Sequence, residues 1–331
     1  MLEILKVCYD NTSSTVKVED TKSPSFKIKT GVRQGCVLAP LLFILYMQAI
    51  IQNIINQNVG GIDLNFRLDT NMINRRNLKA KKKTKACKIT DLMFADDCAL
   101  FAETPEQLQL LVDLFTTESR KLGLKVNESK TEVMFVNMEP IPITINGRTL
   151  KEVQCFKYLG SNIQNNGRLE SEINHRINAA NQAFRNLYQR IWKPHEISLK
   201  TKLQIYQTVV LSTLLYSSET WTVLSADLKK LNAFHLKSLR TICRVKWEEM
   251  IPNEEILKRT NMMSIENLVR QRRMRWAGHL SRMSEDRTPL QVAFGELKTG
   301  LRPQQKPKKR WIDLVKHDLK EIGIDSTNWR D

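Results

Sequence analysis

The hydrophobic periodicity of the chain changes near Leu169, and this change limits the folds that the sequence can adopt. Before it, short alternating apolar stretches such as Val16 to Val18 and Phe26 to Ile28 predict strands joined in a hairpin. After it, apolar residues recur every three or four positions, as in the stripe Ile173, Ile177, Ala180, Phe184 and Leu187. We therefore predict an α+β region followed by an all-α region.

Three consecutive regions follow from these patterns. Residues 1–165 form the mixed region, residues 166–260 a helical region, and residues 261–331 a basic helical C-terminal region. The last region is expected to contain the basic helix Leu268 to Arg282, a linker rich in Pro and Gly from Thr288 to Pro307, and a terminal helix that begins near Trp311.

The most apolar stretch runs from Val37 to Ile55. Polar residues interrupt it from Gln48 onward, and a membrane span needs about 20 apolar residues. We therefore predict a buried core helix from Pro40 to about Gln57 and no membrane partner.

Positive charge is concentrated in two parts of the chain. Lys and Arg number 52 against 35 Asp and Glu, a net charge of +17. Residues 74–88 carry eight basic and no acidic residues, and residues 270–310 carry twelve basic and three acidic residues. Such clustering favours nucleic acid as the partner, because neutralised phosphates release counterions. On charge alone, an anionic membrane surface ranks second to nucleic acid and a solvated charged face is the structural alternative.

The cysteines and histidines indicate neither a disulfide framework nor a zinc site. The six cysteines form no paired motif, and no histidine lies at zinc-finger spacing from them. We expect reduced thiols, no disulfide partner and an intracellular location, cytoplasmic or nuclear, since no export signal is visible. The five histidines are interpreted as packing or surface residues.

Two adjacent aspartates, Asp96 and Asp97, lie between two short apolar strands predicted within Ile89 to Ala102. Neighbouring carboxylates repel each other unless a positive group lies beside them, and a divalent metal is the usual one. At the tip of a hairpin both side chains can point to one place, so the pair is a candidate metal site. A plain polar β-turn explains the same residues and stays open as the alternative.

Four ordered motifs resemble successive motifs of the reverse transcriptase palm: Thr30 to Phe43, Phe94 to Asp97, Gly123 to Thr131 and Phe156 to Gly160. Downstream, Leu211 to Tyr216, Glu219 to Trp221, Arg275 to His279 and Lys308 to Trp311 are similar to the LINE-type, non-long-terminal-repeat retrotransposon enzymes. The resemblance covers nearly the whole chain. It implies a partial right-hand polymerase palm in residues 1–165 and a thumb-like bundle in residues 166–260.

The resemblance also implies roles for single residues. Asp96 and Asp97 would be catalytic and hold two Mg²⁺ ions, which activate the primer 3′-hydroxyl and stabilise the leaving pyrophosphate. The implied template- and nucleotide-binding residues are Arg33, Gln34, Gly35 and Lys130, and the implied primer grip is Leu159 and Gly160. The implied partners are an RNA template, a DNA primer and dNTPs. Each role has a structural alternative: a helix-entry loop for Gln34 and Gly35, a surface lysine for Lys130, and a strand end with its turn for Leu159 and Gly160.

Basic residues outside these motifs are candidate nucleic-acid contacts: Lys81, Lys82, Lys83, Arg272, Arg275, Lys308, Lys309 and Arg310. Trp276 lies beside the arginines of the basic helix and suits base stacking. The alternative is a structural Trp beneath an amphipathic basic helix.

The resemblance breaks upstream of Gly31. The family places a third metal-binding aspartate on a palm strand there, whereas Asp10 and Asp20 lie in polar, turn-like sequence. We therefore expect a chain truncated upstream, which binds nucleic acid and does not extend a primer by itself. Two functions stay open: an RNA-directed DNA polymerase module of a retrotransposon, and a non-catalytic RNA- or DNA-binding remnant.

Overall fold

The computed structural model describes residues 2–10, 12–28, 30–66, 84–299 and 309–324. In these ranges the α-helices are α1 (Leu2–Tyr9), α2 (Ala39–Ile55), α3 (Pro105–Lys121), α4 (Glu170–Asn186), α5 (Leu199–Ile205), α6 (Ser212–Leu214), α7 (Ser225–Cys243), α8 (Asn253–Thr260), α9 (Ile265–Ser281), α10 (Thr288–Phe294) and α11 (Trp311–Glu321). Two π-helical segments, Tyr188–Trp192 and Tyr206–Leu211, and two 3₁₀ segments, Ser218–Thr220 and Trp247–Glu249, lie between them.

The strands in the same ranges are short, and they are β1 (Ser13–Ser14), β2 (Lys17–Val18), β3 (Thr21–Lys22), β4 (Phe26–Lys27), β5 (Ile62–Phe66), β6 (Lys85–Ile89), β7 (Asp91–Phe94), β8 (Asp97–Leu100), β9 (Glu132–Val133), β10 (Thr144–Ile145), β11 (Arg148–Thr149), β12 (Lys151–Glu152), β13 (Cys155–Tyr158), β14 (Ser161–Gln164) and β15 (Gly295–Leu297). Mixed helix and strand content confirms the α+β class.

Two compact units divide the chain. The first comprises Met1–Gly61, Thr90–Asn127 and Thr144–Gly147, and the second comprises Ile62–Ile89, Glu128–Ile143 and Arg148–Asp331. Each unit is held together by contacts between segments that are distant in sequence. The two units therefore do not coincide with the three consecutive regions predicted from the sequence. The boundaries after residues 165 and 260 stay a prediction about domains.

The first unit is built around α2 and α3, which pack against each other through apolar side chains. Ile50, Ile54 and Leu111 are almost completely buried there. Burial of side chains of this size stabilises the fold by about 1.5–3 kcal/mol each. A hydrogen bond of 3.1 Å from Asn53 Nδ2 to Glu118 Oε2 joins the same two helices.

The start of α3 is encoded locally. Thr104 is the N-cap, and its hydroxyl accepts a hydrogen bond of 3.3 Å from the backbone N–H of Gln107. Pro105 occupies the first turn, where a missing N–H costs nothing, and Glu106 adds negative charge at the positive end of the helix dipole. The start of α3 is thus marked by residues that are adjacent in sequence.

The prediction that α2 is a buried core helix was only half right. Met47, Ile50 and Ile51 are buried, but Leu41 and Ile44 on the opposite side are more than half exposed. A helix with apolar residues all round needs neighbours on every side, and in the first unit α3 and the β7–β8 hairpin cover one side. None of the described helices combines the length and the apolar character that a membrane crossing requires.

The predicted N-terminal hairpin consists of two nested strand pairs in the structure. β2 pairs with β3 and β1 pairs with β4, both antiparallel. The chain reverses at Glu19, whose φ of 53° lies in the left-handed region.

In the second unit, a three-stranded antiparallel sheet has the order β15–β5–β6. The prediction of a linker from Thr288 to Pro307 was wrong for the first part of that range, because α10 and β15 lie there. The pairing of Gly295 with Phe66 joins positions far apart in sequence, so local Pro and Gly content could not reveal it.

Helices α4 to α9 share one continuous apolar core. Tyr206, Leu214, Trp221, Leu231 and Leu239 are nearly completely buried within it. Helix α7 begins at Ser225, with Leu224 as its N-cap and no side-chain hydrogen bond at that cap.

The last helices, α9, α10 and α11, enclose a second apolar cluster around Leu280, Leu290 and Val315. Asp318 of α11 is buried, and its carboxylate accepts from Arg273 Nη1 at 2.6 Å and lies 3.2 Å from Arg270 Nε. Two arginines of the predicted basic helix therefore hold α11 in place rather than facing solvent.

Candidate active site and nucleic-acid-binding residues

The aspartate pair lies at the tip of an antiparallel hairpin formed by β7 and β8. Phe94 pairs with Asp97, so the chain reverses through Ala95 and Asp96. Ala95 has a φ of 52°, a region that L residues rarely adopt, and the tight reversal imposes it. The hairpin predicted from the sequence is confirmed.

Apolar residues of the hairpin anchor it to the first unit. Met93 of β7 and Leu100 of β8 pack against the cluster of α2 and α3 that contains Ile50. Asp96 and Asp97 at the opposite end are exposed. Over the residues that the structure describes, neither carboxylate has a hydrogen-bond or ion-pair partner. Both are therefore free to take a ligand from solvent.

The two carboxylates are suitable donors for a magnesium ion, but the described residues do not supply a full set of ligands. Mg²⁺ prefers hard oxygen donors and is usually held by one or two carboxylates together with substrate phosphates. Asp96 and Asp97 supply such donors. Within the described ranges, no three or more His, Cys, Asp or Glu side chains come close enough together to hold a metal ion.

Arg33, Gln34 and Gly35 form an exposed turn just before α2. Gly35 has a φ of 84°, and no heavy atom lies within 4 Å of where a Cβ would be, so its backbone is open to a ligand. This loop also contains Cys36, which the sequence reasoning passed over. The Leu38 backbone N–H and the Tyr9 hydroxyl, whose oxygen is 3.7 Å from Cys36 Sγ, lower the pKa of that thiol.

Lys130 is exposed in the turn of residues 128–130, just before β9, and belongs to the second unit. Asp96, Asp97 and the turn at Gln34 belong to the first. The implied site residues are therefore divided between the two units.

Leu159 and Gly160, the implied primer grip, form the two-residue turn between β13 and β14. Both have positive φ, 47° and 81°, which is typical of a tight hairpin turn that follows the twist of its strands. The strands pair with Tyr158 opposite Ser161. Leu159 and Gly160 are thus a strand end and its turn, as the structural alternative has it. Their role in gripping a primer stays a prediction.

Three side chains that sequence reasoning missed hold this turn. Tyr216 donates a hydrogen bond of 2.9 Å to the carbonyl of Leu159, and Arg176 donates one to the carbonyl of Gly160. The Arg176 guanidinium lies 4.5 Å from the centre of the Tyr216 ring, a cation–π distance. Of these side chains, only Tyr216 had a signal in the sequence, because it lies in the motif Leu211 to Tyr216.

Glu172 completes this arrangement. Its carboxylate is almost fully buried, accepts from Arg176 Nε at 2.6 Å and accepts from the backbone N–H of Asn162 at 2.7 Å. A buried carboxylate is stable only when it is paired in this way. We name Glu172, Arg176 and Tyr216 the turn clamp.

Two predicted nucleic-acid contacts are engaged within the protein. Arg272 is half-buried, which lowers its pKa, and its Nη1 donates to the carbonyl of Leu215 at 2.5 Å. Arg310 forms ion pairs with Asp313, at 2.9 Å, and with Glu296. These contacts give both arginines a structural role, and nucleic-acid binding by them stays a prediction.

Other predicted contacts are more accessible. Arg275 and Lys309 are exposed, whereas Trp276 packs partly buried against the cluster around Leu280. The position of Trp276 therefore agrees with the alternative of a structural Trp. Lys81, Lys82, Lys83 and Lys308 lie outside the described residues.

Residues 2–163, about half of the chain, match the family described as reverse transcriptase (RNA-dependent DNA polymerase). This stretch contains the aspartate hairpin, the turn at Gln34 and the turn at Leu159. Residues 2–163 therefore belong to the reverse transcriptase family.

The relatives indicate which branch of the family this is. The RNA-directed DNA polymerase from mobile element jockey of Drosophila melanogaster is 23% identical over 258 residues, which are 74% of this chain and 25% of that protein. The Pol polyprotein from type-1 retrotransposable element R2 of Popillia japonica is 24% identical over 230 residues, 65% of this chain and 32% of that protein. The chain thus carries a reverse transcriptase module of the non-long-terminal-repeat, LINE-type class.

A third relative has a length closer to that of this chain. An uncharacterised transposon-derived protein of Caenorhabditis elegans is 25% identical over 243 residues, which are 70% of this chain and 85% of that protein. The chain spans only a quarter to a third of the length of the jockey and R2 relatives named above.

Proposed function

We propose that this chain is the palm and thumb portion of an RNA-directed DNA polymerase whose substrates inside the cell are an RNA template, a DNA primer and dNTPs, and that the chain does not extend a primer by itself. The exposed, unpaired carboxylates of Asp96 and Asp97 at a hairpin tip, within a reverse transcriptase domain, carry this proposal. In it, the regions 1–165, 166–260 and 261–331 correspond to a partial palm, a thumb-like bundle and a nucleic-acid-binding end.

Asp96 and Asp97 would hold magnesium through their carboxylate oxygens. The bound metal would supply activation of the primer 3′-hydroxyl and neutralisation of the phosphate charge. The protein's own contribution is to fix the two carboxylates: Met93 and Leu100 anchor the hairpin, and the strained turn at Ala95 aims its tip.

The remaining site residues would position substrates. The open backbone at Gly35 allows close approach of template or nucleotide, with Arg33 and Gln34 beside it, and the cation of Lys130 suits a triphosphate. The turn clamp holds the carbonyls of Leu159 and Gly160 in place, as a primer grip requires.

Manganese binding, followed by electron paramagnetic resonance, tests the metal assignment. Mn²⁺ replaces Mg²⁺ at oxygen sites, so we expect Asp96→Asn with Asp97→Asn to abolish a bound Mn²⁺ that the unaltered chain retains. Asp91→Asn, at the other end of the same hairpin, is the matched control and should leave binding unchanged. Equal Mn²⁺ binding by the double variant and the unaltered chain would refute the assignment.

Primer extension tests whether the two carboxylates at the hairpin tip are enough for catalysis by this chain. The described residues bring only two carboxylates to the hairpin tip, and loss of a metal ligand removes several tenfold factors in rate. We therefore predict that the chain binds primed RNA template but extends it no better than the double variant. Extension clearly above the double variant would exclude the remnant and show that a further ligand completes the site.

A further inference from the structure

A groove of about 600 Å³ opens on the helical part of the second unit, and none of the motifs above includes it. It is lined by the C-terminal half of α7, the start of the π-helical segment Tyr188–Trp192 and Asn253 at the start of α8. The lining cations are Lys237, Arg240 and Arg244, and no Asp or Glu is among the lining residues. We name this the α7 groove.

Lys237 and Arg240 share one face of α7 because they are three residues apart, and Arg244 lines the groove at the C-terminal end of the helix. Arg240 Nη2 donates to the carbonyl of Ile251 at 2.7 Å and to Asn253 Oδ1 at 2.9 Å. Arg244, the C-cap of α7, donates from Nη2 to the carbonyl of Lys193 at 2.7 Å. Neutral oxygens thus hold both guanidinium groups, Arg244 Nη1 also contacts the His195 ring, and among the described residues neither guanidinium forms an ion pair.

An aromatic ring lines the same groove as these cations. Tyr188 lines the groove, and 42% of its surface is exposed. Grooves that bind single-stranded nucleic acid combine cations along the phosphate backbone with exposed aromatic rings on which bases stack. Guanidinium groups suit phosphate because their N–H donors match its oxygens in pairs.

We propose that the α7 groove binds a single-stranded segment of nucleic acid, with phosphates at Lys237, Arg240 and Arg244 and a base stacked on Tyr188. The groove is larger than a phosphate ion needs, and its volume is typical of pockets for nucleotide-sized ligands. The inference rests on the proposed function, because it assigns part of the template or primer to this surface.

Two variants with one matched control test the phosphate and base contacts separately. Binding of a fluorescent single-stranded RNA is compared with binding of an abasic strand of the same length. Lys237→Glu should weaken both strands about five- to tenfold, since each phosphate contact contributes to affinity. Tyr188→Ala should weaken the RNA about tenfold and leave the abasic strand unchanged, because only stacking is lost.

Lys229→Glu is the control, since Lys229 is exposed on the same helix but does not line the groove. If the unaltered chain binds RNA but Lys237→Glu binds like Lys229→Glu, the groove inference is wrong and the proposed function stands. If the unaltered chain binds no nucleic acid, the proposed function itself fails. Competition by free dNTPs that abolishes RNA binding at this site would assign the groove to a nucleotide instead.

Photo-crosslinking of the unaltered chain gives a test that does not depend on how any variant folds. RNA that carries 4-thiouridine should crosslink to peptides containing Tyr188 or Lys237 to Arg244. Crosslinks found exclusively in other peptides would overturn the proposal.

Discussion

His235 is fully buried in the helical core of the second unit, where its Nδ1 is 2.9 Å from the hydroxyl of Tyr206 and its Nε2 is 3.2 Å from the carbonyl of Met263. Burial lowers the pKa of His235 to about 4 from the ordinary 6.5, because a charged imidazole is poorly solvated there. This histidine was interpreted from the sequence as a packing or surface residue, and packing is what the structure shows.

The lowered pKa makes the stability of the fold depend on pH. The unfolded chain takes up a proton at His235 as the pH falls through 6.5, whereas the folded chain stays neutral there until about pH 4. The stabilisation is therefore complete above pH 6.5 and is lost as the pH falls toward 4, by about 3 kcal/mol in total. We expect urea unfolding midpoints to fall over this window.

The variant His235→Phe isolates this contribution. It should be less stable at neutral pH, since the Tyr206 hydroxyl loses its partner, yet its stability should change less between pH 6.5 and 4. His317→Gln, which removes an exposed histidine of α11, should keep the full pH dependence of the unaltered chain. An unchanged pH dependence in His235→Phe would contradict the assignment.

Among the elements, the β13–β14 hairpin depends on α4 for the position of its turn. Arg176 joins the two through Glu172 and the carbonyl of Gly160, and both charged side chains are more than nine-tenths buried. Such an arrangement stabilises a turn only while it is complete, because one partner left alone is a buried, unpaired charge.

We therefore predict that Arg176→Met destabilises the second unit by about 3 kcal/mol, the usual cost of leaving a buried carboxylate without its partner. Arg185→Met is the matched control on the same helix, where Arg185 is exposed, and should change stability by less than about 0.5 kcal/mol. Urea unfolding measures both. A loss for Arg176→Met no larger than that for Arg185→Met would show that the turn clamp contributes nothing.

For the molecule as a whole, several cations in the described part of residues 270–310 are compensated by ion pairs within the protein. Arg273 pairs with Asp318, Arg310 with Asp313, and Lys298 Nζ lies 3.3 Å from Asp63 Oδ2. Net charge therefore overstates how much of this segment is available to phosphates, and exposed cations such as Arg275 and Lys309 become the leading candidates.

This distinction predicts the salt dependence of binding. For the unaltered chain, the logarithm of the affinity for RNA should fall linearly with the logarithm of salt concentration. Replacing both Arg275 and Lys309 with Gln should reduce the magnitude of that slope by about 1.4, since each phosphate contact with a single strand accounts for about 0.7. Fluorescence anisotropy at several salt concentrations measures the slope. An unchanged slope would assign binding to other cations, the α7 groove among them.

Local patterns in the sequence predicted the elements that depend on neighbours along the chain. The alternation around Asp96 and Asp97 predicted a hairpin, and Thr104 with Pro105 marked the start of α3. The ordered motifs identified the reverse transcriptase domain, because motif residues lie at fixed positions along the chain. These signals need no information about distant segments.

By itself the sequence determined the α+β class, the family, the aspartate hairpin and the uneven distribution of charge. Only the tertiary structure decided which charges are free, which apolar face is covered and which side chains hold the turn at Leu159. Arg272 and Arg275 look alike in the sequence, yet Arg272 donates to Leu215 and Arg275 faces solvent. The reason is physical: burial and ion pairing depend on segments brought together from distant positions, such as Arg273 and Asp318, and local periodicity carries no record of that pairing.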